Sequence, residues 1–256
     1  MRVAVIVLAL LMPLIAWLSS TGALGPDNGT ISDRYPTLLV AAGYAFSIWG
    51  LIFAWDVAFG VWQWRARAAS RALERARPLA AAGFALTALW MPVFSQQWFG
   101  VALLVIWGAL ACIAAAAIIL ARDPSPLRGQ GLWATSPLAL HAGWLSLAAF
   151  LNTAQVLVAY EVFDGRSLLG WSLALFAAAA VLLMVLNQRL RGHPAFAAAA
   201  LWGLAAVYLR QSRSDLPGAD TAAWVAMAIA IALAGHTAWL LWQHRAHRRV
   251  GATPGL

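Results

Sequence analysis

Four side chains on one face of an apolar segment have the types needed to hold a ligand or a proton. Phe46, Trp49, Phe53 and Asp56 follow each other at steps of three and four residues, which places them on the same side of a helix. Asp56 is the only acid well inside any apolar segment, and a carboxylate at membrane depth costs at least about 2.5 to 3.5 kcal/mol. We therefore expect Asp56 to face a bundle interior or a wet cavity. For the aromatic residues alone, simple packing explains the stripe equally well.

A later segment repeats this pattern with polar groups at both ends. It carries His141, Trp144, Ala148, Asn152 and Gln155, again at steps of three and four residues. A polar stripe of this kind is also typical of helices that only hydrogen-bond to one another inside a membrane. The pattern therefore predicts an inward-facing surface and leaves its purpose open between packing and binding.

A third segment places Thr87, Trp90 and Phe94 on one side, with Pro92 between them free to loosen the backbone. Three segments thus each offer an aromatic face with at least one hydrogen-bonding group. Buried indoles need a partner for the ring N–H, or a ligand that supplies one. We predict that the three faces together line a pocket.

The buried ionisable groups indicate a polar pair and no hydrolytic apparatus. Asp56, His141 and His236 fall in the same half of the membrane by their distance from the segment ends, and pairing Asp56 with either histidine would lower the cost of burying both. The three are too scattered in sequence to predict a metal site. Gly-rich phosphate loops, nucleophile elbows and paired carboxylates do not occur in the sequence, so we name no catalytic residue and no obligatory cofactor.

The elements that must position these residues are membrane helices. Of the 256 residues 63% are hydrophobic and only 10% are charged, whereas soluble domains carry roughly 25% charged residues. Eight stretches come close to the roughly 20 apolar residues that a bilayer requires, and the runs are too long for strands. The sequence predicts an all-α, polytopic membrane bundle with spans at 3–24, 43–64, 79–96, 98–121, 137–160, 168–187, 194–209 and 221–242.

The arginines predict the topology. The 17 basic residues are all Arg and the net charge is +8, but they lie in short gaps between apolar runs rather than on one solvated domain, which argues against nucleic acid as a partner. With both termini in the cytoplasm, most of them fall on the inner side of the membrane. These inner arginines are Arg2, Arg65, Arg67, Arg71, Arg75, Arg77, Arg122, Arg128, Arg189, Arg191, Arg245, Arg248 and Arg249. The first segment also has features of a signal peptide, although its long apolar run favours a retained helix.

Three of these segments resemble the TspO/MBR family, the tryptophan-rich sensory proteins related to the mitochondrial translocator protein. Residues 44–53 (YAFSIWGLIF), 90–94 (WMPVF) and 144–152 (WLSLAAFLN) are similar to that family's second-, third- and fifth-helix patterns, in the same order. The sequence departs from the pattern at Thr87, where the family usually has Asn, and at Leu140-His141, where it has Pro-Tyr. The resemblance covers about residues 1–160.

The resemblance implies a five-helix bundle with a pocket that opens toward the loop between the first two helices. Family members bind porphyrins and sterol-like or drug-like hydrophobic molecules, often as dimers. We therefore expect three parts: a five-helix unit at 1–165, three additional spans at 166–243 and a basic cytoplasmic tail at 244–256. The expected partners are the lipid bilayer, a hydrophobic ligand such as a tetrapyrrole, and a second copy of the chain.

Three functions follow as competing hypotheses. The first is binding of a flat hydrophobic ligand for sensing or transport, by the residues Phe46, Trp49, Phe53, Asp56, Thr87, Trp90, Phe94, His141, Trp144, Ala148 and Asn152. The second is proton-coupled transport that uses Asp56 and a buried histidine. The third is an enzyme that degrades a bound pigment, which we rank last.

Overall fold

The computed structural model describes residues 1–66, 69–162 and 168–250, and within them every regular element is helical. The helices are α1 (Arg2–Ser20), α2 (Asn28–Arg34), α3 (Ile48–Arg65), α4 (Arg71–Ser95), α5 (Phe99–Ala121), α6 (Ser136–Ala159), α7 (Leu168–Arg189), α8 (Pro194–Gln211) and α9 (Ala219–Val250). A 3-10 turn (Gly43–Ser47) leads into α3, and a π turn (Gly131–Thr135) leads into α6. The predicted all-α membrane bundle is confirmed.

Each predicted span corresponds to one long helix, and seven of the eight are long and apolar enough to cross a membrane. The exception in the described part of the chain is α8, which has 18 residues and ends on Arg210 and Gln211. It nevertheless packs inside the bundle, against α6 and α9. The protein is thus an integral membrane protein in which one central helix is shorter and more polar at its end than its neighbours.

Two helices extend beyond their predicted spans. Helix α4 begins at Arg71, because the Ser70 side chain accepts a hydrogen bond from the Leu73 amide and so caps the helix. Arginines expected in a loop therefore lie on its first turns. Helix α9 continues to Val250, so the start of the expected tail is helical. Residues 251–256, and the predicted division near residue 165, lie outside the described residues.

Small residues allow the helices to approach closely. A Cβ atom added at Gly83 of α4 would lie 2.5 Å from Ile113 of α5, and one added at Gly60 of α3 would lie 3.1 Å from the Ile6 backbone of α1. The closest approach joins α6 to α8, where a Cβ at Gly143 would lie 2.3 Å from the Phe196 carbonyl oxygen. The absence of a side chain at Gly143 therefore allows α8 to pack closely against α6.

The two ends of the bundle differ in composition and hydrogen bonding. At one end, which we call the Arg-rich end, Arg77 donates to Gln63, Gln63 donates to the Arg2 carbonyl, and Ser70 donates to Asp123. At the opposite end residues 27–47 fold over the bundle, and we call this segment the lid. It contains α2, which is capped by Asp27.

Candidate ligand-binding hollow

The three aromatic faces enclose one hollow beneath the lid. Helices α3, α4 and α6 contribute its aromatic walls, and the lid and helices α7, α8 and α9 close it. The described residues that line it are Asn28, Ser32, Leu39, Ala41, Phe46, Trp49, Trp90, Phe94, Trp144, Leu147, Ala148, Phe150, Leu151, Gln155, Phe176, Ala179, Gly203, Leu204, Val207 and Ile229. We call this space the hollow.

Paired rings form two walls of the hollow. Trp49 stacks on Phe53 with ring centroids 5.1 Å apart, and Trp90 stacks on Phe94 at 4.9 Å. Trp144 stands nearly perpendicular to Trp49, with centroids 6.0 Å apart. The walls therefore present both ring faces and ring edges, the two geometries in which aromatic groups bind one another.

Several polar atoms at the hollow are buried, and some have no partner. The Trp90 Nε1–H donates to Asn152 Oδ1 at 3.1 Å, and Gln155 Nε2 donates to Ser32 Oγ at 2.7 Å. By contrast, Trp144 Nε1, Asn152 Nδ2 and Gln155 Oε1 have no hydrogen-bond partner among the described residues. Because buried polar groups are nearly always paired, these atoms mark positions where a ligand or an ordered water can form a hydrogen bond.

A chain of three polar side chains lies behind the Trp49 wall. His141 Nδ1 is 2.8 Å from Asp56 Oδ2, and His141 Nε2 is 3.3 Å from Thr87 Oγ1. Asp56 and His141 have no exposed side-chain surface. With the carboxylate as acceptor, His141 Nδ1 donates to Asp56 and Nε2 can accept from Thr87. Trp49 packs edge-on against the imidazole at 5.7 Å, so the chain adjoins the hollow without lining it.

The predicted site residues thus divide into three groups. Phe46, Trp49, Trp90, Phe94, Trp144 and Ala148 line the hollow. Phe53 and Asn152 support it through Trp49 and Trp90. Asp56, Thr87 and His141 form the polar chain behind it.

One detail of the sequence interpretation is wrong, and the structure decides between the two histidines that the sequence left open as partners of Asp56. Phe46 does not continue the α3 face, because Gly43–Ser47 is a 3-10 turn, although its ring still reaches the hollow. His236 does not pair with Asp56, since it contacts Asn187 and Gln188 of α7 instead. Asp56 therefore has His141 as its partner.

The walls from the last three helices, and those from the lid apart from Phe46, were not predicted from the sequence. Phe176 and Ala179 of α7, Gly203 of α8 and Ile229 of α9 all line the hollow. Their types do not distinguish them from packing residues. The one local signal is Gly203, because a Cβ atom there would lie 2.6 Å from Leu147 and 3.4 Å from Trp144.

The hollow is narrow. The cavity volume is only about 50 Å³; the larger empty space of about 790 Å³ between the lining atoms includes space open to solvent. Sites for drug-sized ligands typically have volumes of roughly 300–1,000 Å³. A polycyclic ligand therefore requires the walls or the lid to move apart.

Hydrogen bonds between α8 and the backbone of the lid hold the lid in place. The buried Gln211 side chain donates to the carbonyl oxygens of Thr37 at 3.2 Å and Val40 at 3.0 Å. The Ala42 amide donates to the Ala206 carbonyl of α8 at 3.0 Å, and Trp202 Nε1 donates to the Ala45 carbonyl at 3.1 Å. These bonds hold the lid in one register above the hollow.

Helical spans around a buried aromatic hollow define the class of this protein, a polytopic membrane protein with an internal apolar site. A family model described as TSPO-like protein matches residues 2–239. The chain belongs to this family, which confirms the resemblance, and the match extends beyond residue 160 through α7 and α8 and into α9. Comparison with curated proteins and with solved structures gives no match. Among the described residues no group of three His, Cys, Asp or Glu could hold a metal ion.

Proposed function

We propose that the protein binds a flat, largely hydrophobic small molecule in the hollow, for sensing or transport. The observation that carries this proposal is the convergence of Trp49, Trp90 and Trp144 from three helices on one space. Stacked and edge-on indoles suit a planar ring system. A tetrapyrrole or a sterol-like polycycle has this shape.

The narrowness of the hollow fits a site that opens to admit its ligand. The aromatic pairs are held by side-chain contacts, and the lid is held by a small number of hydrogen bonds to α8. Separating the lid from α8 breaks these bonds and the exposed ion pair between Arg210 and Asp33. Binding therefore includes a step in which the lid or α7 moves away from the aromatic walls.

A titration with a porphyrin tests the proposal directly. Saturable quenching of Trp fluorescence is expected for the protein in nanodiscs. Trp49→Ala, Trp90→Ala and Trp144→Ala should each weaken the affinity at least about tenfold, because each removes one ring of the wall. The control Trp242→Ala changes a side chain that is 68% exposed and should leave the affinity unchanged. Equal affinity in all four variants would reject this site.

Proton-coupled transport is a second candidate, favoured by the contact between Asp56 and His141. Intramembrane ionisable residues commonly mark proton pathways, and this pair adjoins the hollow through Trp49. On this hypothesis Asp56→Asn abolishes pH-dependent uptake into proteoliposomes and leaves ligand affinity intact. Uptake that keeps its pH dependence in Asp56→Asn would exclude it.

The topology and the oligomer complete the proposal. Because short Arg-rich connections remain on the cytoplasmic side, the Arg-rich end lies in the cytoplasm and the lid faces the opposite compartment. Labelling of single cysteines placed in the lid and in the 122–130 connection tests this orientation, with Cys112 replaced. Cross-linking in native membranes tests the homodimer.

A further inference from the structure

The hollow contains no countercharge for a charged ligand. None of the described residues that line it has an ionisable side chain. The nearest polar chain, Asp56 and His141, lies behind Trp49 and contributes a carboxylate rather than an unpaired cation. Arg210 of α8 pairs with Asp33 of the lid, and both side chains are exposed. A ligand carboxylate inside the hollow would therefore lose its water without gaining a cation.

The unpartnered atoms at the walls require neutral polar groups instead. Trp144 Nε1 is a donor without an acceptor, and Gln155 Oε1 is an acceptor without a donor. Both residues line the hollow and are at least nine-tenths buried. They lie eleven residues apart on α6, hence about 16 Å along the helix axis. A ligand that satisfies both carries an acceptor at its deep end and a hydroxyl or N–H group toward the lid.

We infer that the hollow selects uncharged polycycles and rejects those with ionised carboxylates. The inference rests on the proposed function, and it narrows the ligand to a class. A ring system with free propionate groups binds poorly, whereas the same ring system with esterified or hydroxylated side chains binds well. The recognition elements are the Trp144 N–H and the Gln155 carbonyl oxygen.

Matched porphyrins separate charge from shape. Protoporphyrin IX and its dimethyl ester share one ring system and differ in the two carboxylates. With the full-length protein in phosphatidylcholine nanodiscs, and with partition into empty nanodiscs subtracted, we expect the diester to bind at least about tenfold more tightly. Equal or tighter binding of the diacid overturns the selectivity and leaves the proposed function standing. Absence of saturable binding for both overturns the proposed function itself.

Three variants test the residues assigned to this selectivity. Trp144→Phe keeps an aromatic ring and removes the donor, so diester affinity should fall about five- to tenfold. Haematoporphyrin dimethyl ester carries hydroxyl groups that can donate to Gln155 Oε1, so it should bind the unaltered protein more tightly than the protoporphyrin diester does. In Gln155→Leu this difference in affinity should disappear. Asn28→Arg places a cation on the lid, at the wall of the hollow, and should shift preference toward the diacid at least about tenfold, relative to Asn28→Gln. Unchanged selectivity in all three variants would contradict the assignment.

Discussion

The pair formed by Asp56 and His141 should be the strongest polar interaction in the membrane-embedded core. Both side chains are fully buried, His141 Nδ1 and Asp56 Oδ2 are 2.8 Å apart, and Asp56 Oδ1 has no hydrogen-bond partner among the described residues. Removing one member of a buried pair leaves the other uncompensated, at a cost of about 3–5 kcal/mol. Replacing both members with apolar groups removes that penalty. We therefore expect Asp56→Leu and His141→Phe each to destabilise strongly, and the double variant to be no less stable than either single variant.

The coupling free energy of this double-mutant cycle distinguishes a charged pair from an ordinary hydrogen bond. Hydrogen bonds between membrane helices average about 0.6 kcal/mol in such cycles, whereas the burial of this pair predicts about 2–4 kcal/mol. Reversible unfolding in mixed micelles with increasing dodecyl sulfate, followed by circular dichroism, measures the four stabilities. Thr87→Val serves as the comparison, because its oxygen lies 3.3 Å from His141 and should cost only about 1 kcal/mol. Coupling at or below 0.6 kcal/mol would refute the reasoning.

Three further predictions concern α8 and the lid. Gly143→Ala should destabilise by more than about 2 kcal/mol in the same unfolding assay, because its Cβ would meet the Phe196 backbone; Gly235→Ala, with open space around it, should stabilise slightly. Gln211→Leu should speed hydrogen exchange of lid amides without changing exchange in α5; unchanged lid exchange would show that Gln211 does not fasten it. Burial lowers the pKa of His193, whose Nδ1 accepts from the Ala195 amide at the start of α8. Neutral His193 therefore stabilises the folded protein above pH ~6.5, and this contribution is lost as the pH falls through the lowered pKa. The free energy of unfolding of His193→Asn, which keeps a helix cap, should depend less on pH.

Much of the fold was predictable from composition and periodicity, because a bilayer imposes both the length and the apolarity of each helix. The exceptions have local causes. Ser70 caps α4 and so extends this helix beyond its predicted span, and the polar residues at the end of α8 keep it out of the group of long apolar spans.

The candidate site was only partly predictable. Burying an indole N–H or a carboxylate in an apolar segment is costly unless the group has a partner. For this reason the sequence alone identified Trp49, Trp90, Trp144 and Asp56 as candidate site residues. The choice of His141 over His236 depends on which helix packs against α3, and helical spacing does not encode that contact. Phe176 and the other walls from the last three helices are ordinary apolar residues, so only their placement in the structure connects them with the hollow.

The attachment of the lid to α8 has a consequence for how this chain can be shortened. A fragment that ends before α7 would keep all three indoles, the Asp56 carboxylate and the sequence patterns that resemble a five-helix protein. It would also lose the Ala206 carbonyl and the Gln211 side-chain amide that hydrogen-bond to the N-terminal loop, together with six of the twenty residues that line the hollow. The N-terminal loop and the last three helices therefore depend on each other to close the hollow.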